Sequence, residues 1–280
     1  MAGPKKWTEE LIEARVKAGR GQGEGENYSP WLYVQEFSSR GTQTRVPGVK
    51  LRRTVHTFSY LERAFFLVAE FLPNYCDWNE QRPMDRRITL GAAAKLGIKH
   101  PLYPRTRVPV VMTLDAVYTT VDMDGVLHTF ALDFKPQRRL NDERTLAKLS
   151  LHRAYCAHVK MPHALFTERS IDWQVVRNID WVRMALPKDG ELEAASGLFA
   201  KGLGQFEEEL FSCRKRWTVL QFCQQYDATR RMTPGTGLRL FKLLVWNHRA
   251  SVNLAAARLC DEPLPRRNEY IPLPLPRRVA

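Results

Sequence analysis

The chain has 280 residues, 44% of them hydrophobic and 26% charged, proportions that support a sizeable core in one or two domains and exclude wholesale disorder. Its 43 Lys and Arg outnumber 30 Asp and Glu for a formal net charge of +13, which points to a polyanion, DNA or RNA, ahead of a membrane surface. Five widely spaced cysteines without a CxxC pair argue against a disulfide framework or structural zinc site and for a reducing cytosol.

Residues 8–18 predict a short helix, with Thr8 as cap, Glu9 and Glu10 in the first turn and Gly19 as stop. The following GRGQGEGENYSP reads as a loop. It lacks the preceding strand and the GK[ST] ending of a phosphate-cradling loop, so its glycines are expected to form a flexible arm that touches DNA or a partner subunit. Trp31–Phe37 is expected as a strand, and Ser38–Arg53, polar and basic, as a surface connection. A helix is predicted over Ser59–Phe71, with Ser59 as cap and Glu62 at the capping-box spacing. Phe65, Phe66 and Phe71 are assigned to the core. Tyr75–Gln81 reads as a strand and Leu90–Gly97 as a helix with a glycine stop.

Pro109–Val121 is rich in β-branched residues, Asp122–Gly125 is a turn, and Val126–Lys135 returns as the paired strand, ended by Pro136. Asp142–Val159 predicts a long helix and Ala164–Thr167 a short buried strand. After about Ser170 only helical patterns remain: 174–185, 191–199, 205–211, 218–226, 235–246 and a short one at 255–259. The helix–turn–helix around 227–234 is winged-helix-like. Trp217, Phe222 and Trp246 are read as core of this second domain. Residues 263–280, rich in Pro and Arg, read as an extended tail. Met1–Trp7 has no signal-peptide core, and stretches such as Ala64–Ala69 are too short to span a bilayer. A cytoplasmic protein without membrane association is therefore expected.

The hairpin carries the candidate chemistry. Residues two apart in a strand share a face, so Asp133 and Lys135 project together while Phe134 points into the opposite layer. Asp115 joins them if the register brings it across. Two carboxylates and an ammonium at one sheet surface suit Mg²⁺-assisted phosphodiester hydrolysis. Glu62 and the main-chain carbonyl of Phe134 would complete a ligand set of Glu62, Asp115, Asp133 and Phe134, for one or two Mg²⁺ with Mn²⁺ as substitute. Lys135 would position or deprotonate the attacking water. A D-x-K triplet alone is more often a solvated salt bridge. What raises this one is its place at a strand end, the aspartate in the partner strand and the helix glutamate before both. Together they give the α-β-β-β-α-β order of a restriction-endonuclease-like (PD-(D/E)xK) core. Lys99, His100, Arg138 and Arg139 are candidates for contacts to the DNA backbone.

The stretch AGRGQGEGENYSPWLYVQEF (18–37), the pair Glu80-Gln81, LGIKHP (96–101), VMTLD (111–115), FALDFKP (130–136) and DERTLAKL (142–149) together resemble the TnsA family of transposition endonucleases, over about residues 18–170. The resemblance implies a Mg²⁺ nuclease that cuts at the 5′ ends of a transposon. The family's helix glutamate falls on Glu62, its hairpin aspartate on Asp115 and its lysine on Lys135. It implies partners as well: the DNA of the transposon ends, a TnsB-type DDE transposase acting at the 3′ ends, and a TnsC-type AAA+ ATPase docked by the C-terminal domain or tail. The chain departs from the family pattern at Asp133, where a relative has glutamine. It departs again at His152, where the family has a carboxylate and this chain is expected to have a surface or packing residue.

The resulting expectation is an α/β chain of three parts: a restriction-endonuclease-like domain over 1–170, with an N-terminal arm at 1–57; a mainly helical, winged-helix-like domain over 171–262; and a tail over 263–280. Two alternatives stand beside the transposase subunit. One is a free-standing restriction or repair nuclease on the same fold, and the other is a non-catalytic DNA-binding regulator.

Overall fold

The computed structural model describes residues 7–36, 42–187 and 198–268. They form a mixed α/β chain that divides after Ile171 into two compact units. No helix among the described residues is long and apolar enough to cross a membrane.

The first unit begins with α1 (Glu9–Lys17), where the Thr8 hydroxyl accepts from the Leu11 N–H. The glycine segment after it is packed, which corrects the expected flexible arm. Gly25 N–H donates to Asp77, Gly21 N–H donates to the Ser29 carbonyl, and Gln22 pairs with Ser29. Gly21 has φ +73°, and a Cβ there would collide with the Pro83 ring, so only glycine fits. Trp31–Glu36 is not a strand. It bends into a short 3-10 turn (Val34–Glu36) tied down by Arg15 and Arg20 on Glu36, and among the described residues no partner strand lies beside it; Phe37 lies outside them. Ile12, Trp31 and Tyr103 pack together with Trp7, so the N-terminal segment belongs to the core of its unit.

The expected surface connection contains a hairpin instead, β1 (Thr44–Gly48) against β2 (Arg53–Thr57). Val46 and Val55 are its buried face. Arg53 of β2 forms a bidentate pair with buried Glu80 at 2.8 and 2.9 Å. Helix α2 (Tyr60–Phe71) follows, capped by Ser59. It lies over one face of a four-stranded sheet of order β3 (Tyr75–Pro83), β4 (Thr113–Val121), β5 (Leu127–Phe134), β6 (His163–Phe166). Phe65 meets Phe134 and Phe166 with ring centroids 5.0 and 4.5 Å apart, and Phe66 meets Trp78 edge-on.

The opposite face is covered by α3 (Arg86–Leu96) and α4 (Glu143–His158). Met84, Ala93, Met112, Leu114, Leu151 and Cys156 fill that layer. Helix α3 starts four residues before the expected Leu90, because Asp85 caps it, and ends in left-handed Gly97 as expected. β3, β4 and β5 are antiparallel; β6 returns parallel to β5 after α4. The β4–β5 turn is held by Asp122, whose carboxylate accepts from the N–H groups of Asp124 and Val126.

The second unit contains α5 (Trp173–Arg183), α6 (Leu198–Ser212), α7 (Val219–Arg230) and α8 (Thr236–Trp246). Most of the helix expected at 191–199 lies outside the described residues. Buried Asp227 stitches the α7–α8 turn by accepting from the N–H groups of Gly235 and Gly237. Phe222 and Trp246 are buried as core, whereas Trp217 is only half-buried. The helix expected at 255–259 is replaced by turns and a 3-10 turn at Leu259–Asp261. The start of the proline-arginine segment pairs: β8 (Arg266–Arg267) lies against β7 (Ala250–Ser251). Residues 269–280 lie outside the described residues.

Candidate active site

The β4–β5 ladder runs from Val121↔Leu127 to Ala116↔Leu132 and then stops. Beyond it Asp115 replaces backbone pairing with its side chain. Its Oδ2 accepts from the Phe134 N–H at 2.9 Å and from the Lys135 ammonium at 2.5 Å. Among the described residues its Oδ1 has no hydrogen-bond partner. The neighbouring strand is distorted at the same level. Between the pairs Glu80↔Ala116 and Arg82↔Leu114, Gln81 has φ 48°, and its side-chain oxygen accepts from the Thr113 hydroxyl. A non-glycine residue in left-handed conformation inside a strand is strained. It marks the spot where the sheet departs from regular pairing beside Asp115.

Lys135 follows the last residue of β5, and its ammonium also donates to the Phe134 carbonyl at 3.1 Å. Burial works against its charge, but Asp115, then Asp133 and Glu62, outweigh that and push it up to about 12. It is an ammonium at neutral pH and cannot serve as a resting base.

Glu62 reaches the same place from the first turn of α2. The Ser59 hydroxyl accepts from the Glu62 N–H, and the Glu62 carboxylate accepts from the Phe58 N–H at 2.8 Å and from the Ser59 hydroxyl at 2.9 Å. The capping interaction therefore aims a carboxylate that is 5% exposed. Burial first and the Asp115 charge second push its pKa up to about 8, while Lys135 pulls it down. Each Glu62 oxygen uses one of its two lone-pair sites, leaving one per oxygen.

Asp133 behaves differently from the expected metal ligand. It is 0% exposed, on the face covered by α4. His152 Nδ1 donates to both of its oxygens at 2.9 and 2.8 Å, and His163 Nε2 donates to one of them at 2.8 Å. Burial alone would raise its pKa, but those two hydrogen bonds, followed by the charges of His152 and Lys135, hold it far below the usual carboxylate range. With three of its four lone-pair sites taken by two imidazoles inside the core, Asp133 is held here as a structural carboxylate and not as the open ligand that was expected. Of the two expected roles for His152, surface or packing, the structure has the packing one, as a buried partner of Asp133.

Among the described residues no three His, Cys, Asp or Glu side chains stand ready as a metal cluster. What the site offers is a set of oxygens only: Asp115, the Phe134 carbonyl and, close enough to feel the Asp115 charge, Glu62. Hard, all-oxygen donors with incomplete protein coordination fit Mg²⁺, which keeps waters and takes one or two carboxylates. The Lys135 ammonium already bridges the first two of these oxygens, so that ground attracts a cation.

Asp115, Lys135 and His152 line one side of a cleft of about 970 Å³ whose apolar wall includes Trp7, Trp31 and Tyr103. The residues proposed to touch DNA divide. Arg138 and Arg139 are exposed in a 3-10 turn just after the site. Lys99 lines a smaller hollow beside α4. His100 is corrected to a structural role: Nδ1 bonds the Pro101 carbonyl and Nε2 the Thr89 hydroxyl, both at 3.0 Å, and burial lowers its pKa. The sequence reading missed His163 and the left-handed Gln81. The only signal for His163 was its place, two residues before the strand position that pairs with Asp133.

The family model described as TnsA-like endonuclease N terminal matches residues 73–168, which include Asp115, Asp133 and Lys135. The model described as TnsA endonuclease C terminal matches residues 170–254. The chain is similar to the Transposon Tn7 transposition protein TnsA of Escherichia coli, with 34% identity over 247 residues, covering 86% of this chain and 85% of the relative.

Proposed function

The chain belongs to the TnsA endonuclease family, and from that premise we propose that it is the DNA endonuclease subunit of a heteromeric cut-and-paste transposase, hydrolysing the phosphodiester at the transposon 5′ ends. The observation that carries this reading is the Asp115–Lys135 pair where the β4–β5 ladder gives out, with the buried Glu62 carboxylate beside it.

Glu62, Asp115 and the Phe134 carbonyl would hold one or two Mg²⁺, with Mn²⁺ as substitute. Bound there, the ion supplies Lewis-acid charge at the scissile phosphate and acidifies a water. The protein's own groups do the rest. Asp115, fixed by the Phe134 N–H, presents its unpartnered Oδ1. The Lys135 ammonium neutralises charge that develops on the phosphate oxygens, an interaction worth most in a partly dehydrated cleft. Asp133 locks His152 and His163 beneath β5 and so fixes the strand that carries both Phe134 and Lys135. Asp133 is thereby a positioning residue.

This core is read as restriction-endonuclease-like. Helices α7 and α8 with the β7–β8 pair behind them support a winged-helix-like second unit. Membership in this family supports operation in a Tn7-type system. A TnsB-type DDE transposase would cut the 3′ ends, and a TnsC-type AAA+ ATPase would dock on the second unit or on the proline-arginine tail.

The test is cleavage of transposon ends by the full chain with its purified transposase and ATPase partners. Lys135→Ala should abolish 5′-strand cuts and retain 3′-strand cuts. Cleavage of plain DNA by the chain alone would favour the free-standing nuclease. Full function in Asp115→Ala would remove catalysis from the chain.

A further inference from the structure

The cleft that holds Asp115 and Lys135 has a surplus of positive charge. Arg105, Lys135, Arg144 and Lys148 line it against one carboxylate, Asp115, and that carboxylate already takes Lys135 and the Phe134 N–H. Arg144 and Lys148 stand four residues apart on α4, hence one above the other on one face. Among the described residues neither has a hydrogen bond or a salt bridge. Nor is the pair turned away to a separate surface, because the same two side chains also line the adjoining hollow with Lys99. They form a ridge between that hollow and the reacting groups. Partial burial of the ammonium end, then repulsion from Arg144 and Lys135, lower the Lys148 pKa. Asp115 and Asp142 oppose that lowering without cancelling it, and like charges in excess of their counter-charge in a concave site cost free energy until an anion arrives.

Resting on the nuclease reading, we propose that Arg144 and Lys148 form a binding site for a backbone phosphate of DNA adjacent to the scissile one, and thereby set where along the strand the cut falls. The ligand is one phosphodiester of a continuous strand. A strand whose scissile phosphate lies at Asp115 and Lys135 must continue through the same cleft, and this ridge flanks its path. The planar fork of Arg144 suits two phosphate oxygens, while Lys148 adds a movable point charge. Neither contact reads a base, so the pair contributes register and not sequence. Two of the four expected DNA contacts, Lys99 and His100, line the adjoining hollow, and His100 has no free ring nitrogen.

The experiment measures binding of the full chain to a transposon-end duplex by fluorescence anisotropy, without divalent ions, across a salt series. Arg144→Ala combined with Lys148→Ala is expected to weaken binding about tenfold or more and to reduce the log–log salt slope by about 0.9, the value for one phosphate contact. Swapping the charges, Arg144→Lys with Lys148→Arg, should retain the slope and shows that the loss is one of charge. Duplexes with single neutral methylphosphonates should reveal one position, next to the cut, that costs the wild type affinity but costs the alanine variant nothing further. Wild-type affinity and slope in the alanine variant, or equal losses at every methylphosphonate, would overturn the site. Cleavage by the wild type is scored separately in Mg²⁺. A chain that cuts normally with the pair removed loses this proposal and keeps the nuclease reading, and one that binds through the pair but never cuts does the reverse.

Discussion

Replacing Asp133 by asparagine keeps the volume of the side chain and removes its charge. The cost follows from its surroundings. Two imidazole N–H groups converge on a carboxylate that is 0% exposed. Asparagine keeps an oxygen where Oδ2 meets both imidazoles but sets an amide NH₂, which can only donate, where Oδ1 accepts from His152. One of the three hydrogen bonds is lost and the other two lose their charge assistance, together about 2–4 kcal/mol. For a unit of this size that lowers Tm by about 10 °C. The pH dependence has a definite sign. The folded pKa lies below the ordinary 3.8, so the stabilisation is full above about pH 4 and is lost as the pH falls below it toward the folded value. The gap between wild type and Asp133→Asn should be wide at pH 7 and shrink below pH 4. Thermal unfolding by circular dichroism gives the size. Hydrogen exchange in peptides from β5 and α4 assigns the loss to the first unit. A variant within 0.5 kcal/mol of wild type at pH 7, with no pH dependence of the difference, would refute the role given to the two histidines.

Four further outcomes are expected. Burial and Asp115 raise Glu62 to about 8, so its contribution to stability is full below about pH 4.5 and is lost as the pH rises through about 8. Mg²⁺ should therefore raise Tm more at pH 8 than at pH 6, and Glu62→Gln should erase that difference. Lys135→Ala should lower the rate of strand cleavage roughly 10²–10³-fold while equilibrium binding of the DNA end changes far less; parallel losses in both would make Lys135 a binding residue. Arg53→Ala leaves Glu80 buried without its bidentate partner and should cost about 3–5 kcal/mol, read by urea unfolding. Gly237→Ala puts a Cβ 2.9 Å from the Cys223 carbonyl and should cost about 1–3 kcal/mol by overpacking α7 against α8, with the loss confined to exchange in the second unit.

The site was legible where local pattern and chemistry coincide. The β4–β5 hairpin announces itself by β-branched residues on either side of a turn, and the alternation of strand side chains places Phe134 away from Asp133 and Lys135. Helix α2 was legible because Ser59 and Glu62 satisfy its first N–H groups. What failed depended on partners distant in the chain. β1 turns Arg45 and Pro47 outward, and β2 buries polar His56 and Thr57 along with Val55, so burial does not follow an alternation of hydrophobicity; the strands exist because Val46 and Val55 find a core and Arg53 finds Glu80. The glycine segment looked mobile because its reason for glycine, the approach of Pro83, lies some sixty residues on. Asp133 was assigned to the metal by analogy of spacing. Spacing gives the face of the strand but not the occupant opposite it, and here that occupant is a pair of histidines.

That substitution of partners bears on how the site works. A carboxylate shared among a metal, a lysine and a solvent cleft has its orientation set by whichever is present. Asp133 is held by protein groups, so on the proposed reading β5 should keep its shape when an ion binds. On that reading the burden of attracting the ion falls on Glu62 and Asp115, whose mutual repulsion is relieved by Lys135. Across the cleft Arg144 and Lys148 carry the opposite excess. Carboxylates short of a cation face cations short of an anion, and what neutralises both sides together is a divalent ion bound to a phosphate. On the reading proposed above, neither ion nor DNA alone meets the full demand. A direct consequence is linkage: DNA should tighten the binding of Mg²⁺, and Mg²⁺ that of DNA, by the same factor. Measured by titrating each in the presence and absence of the other with a duplex made resistant to cleavage, equal affinities in both conditions would break the link between the two halves of the cleft.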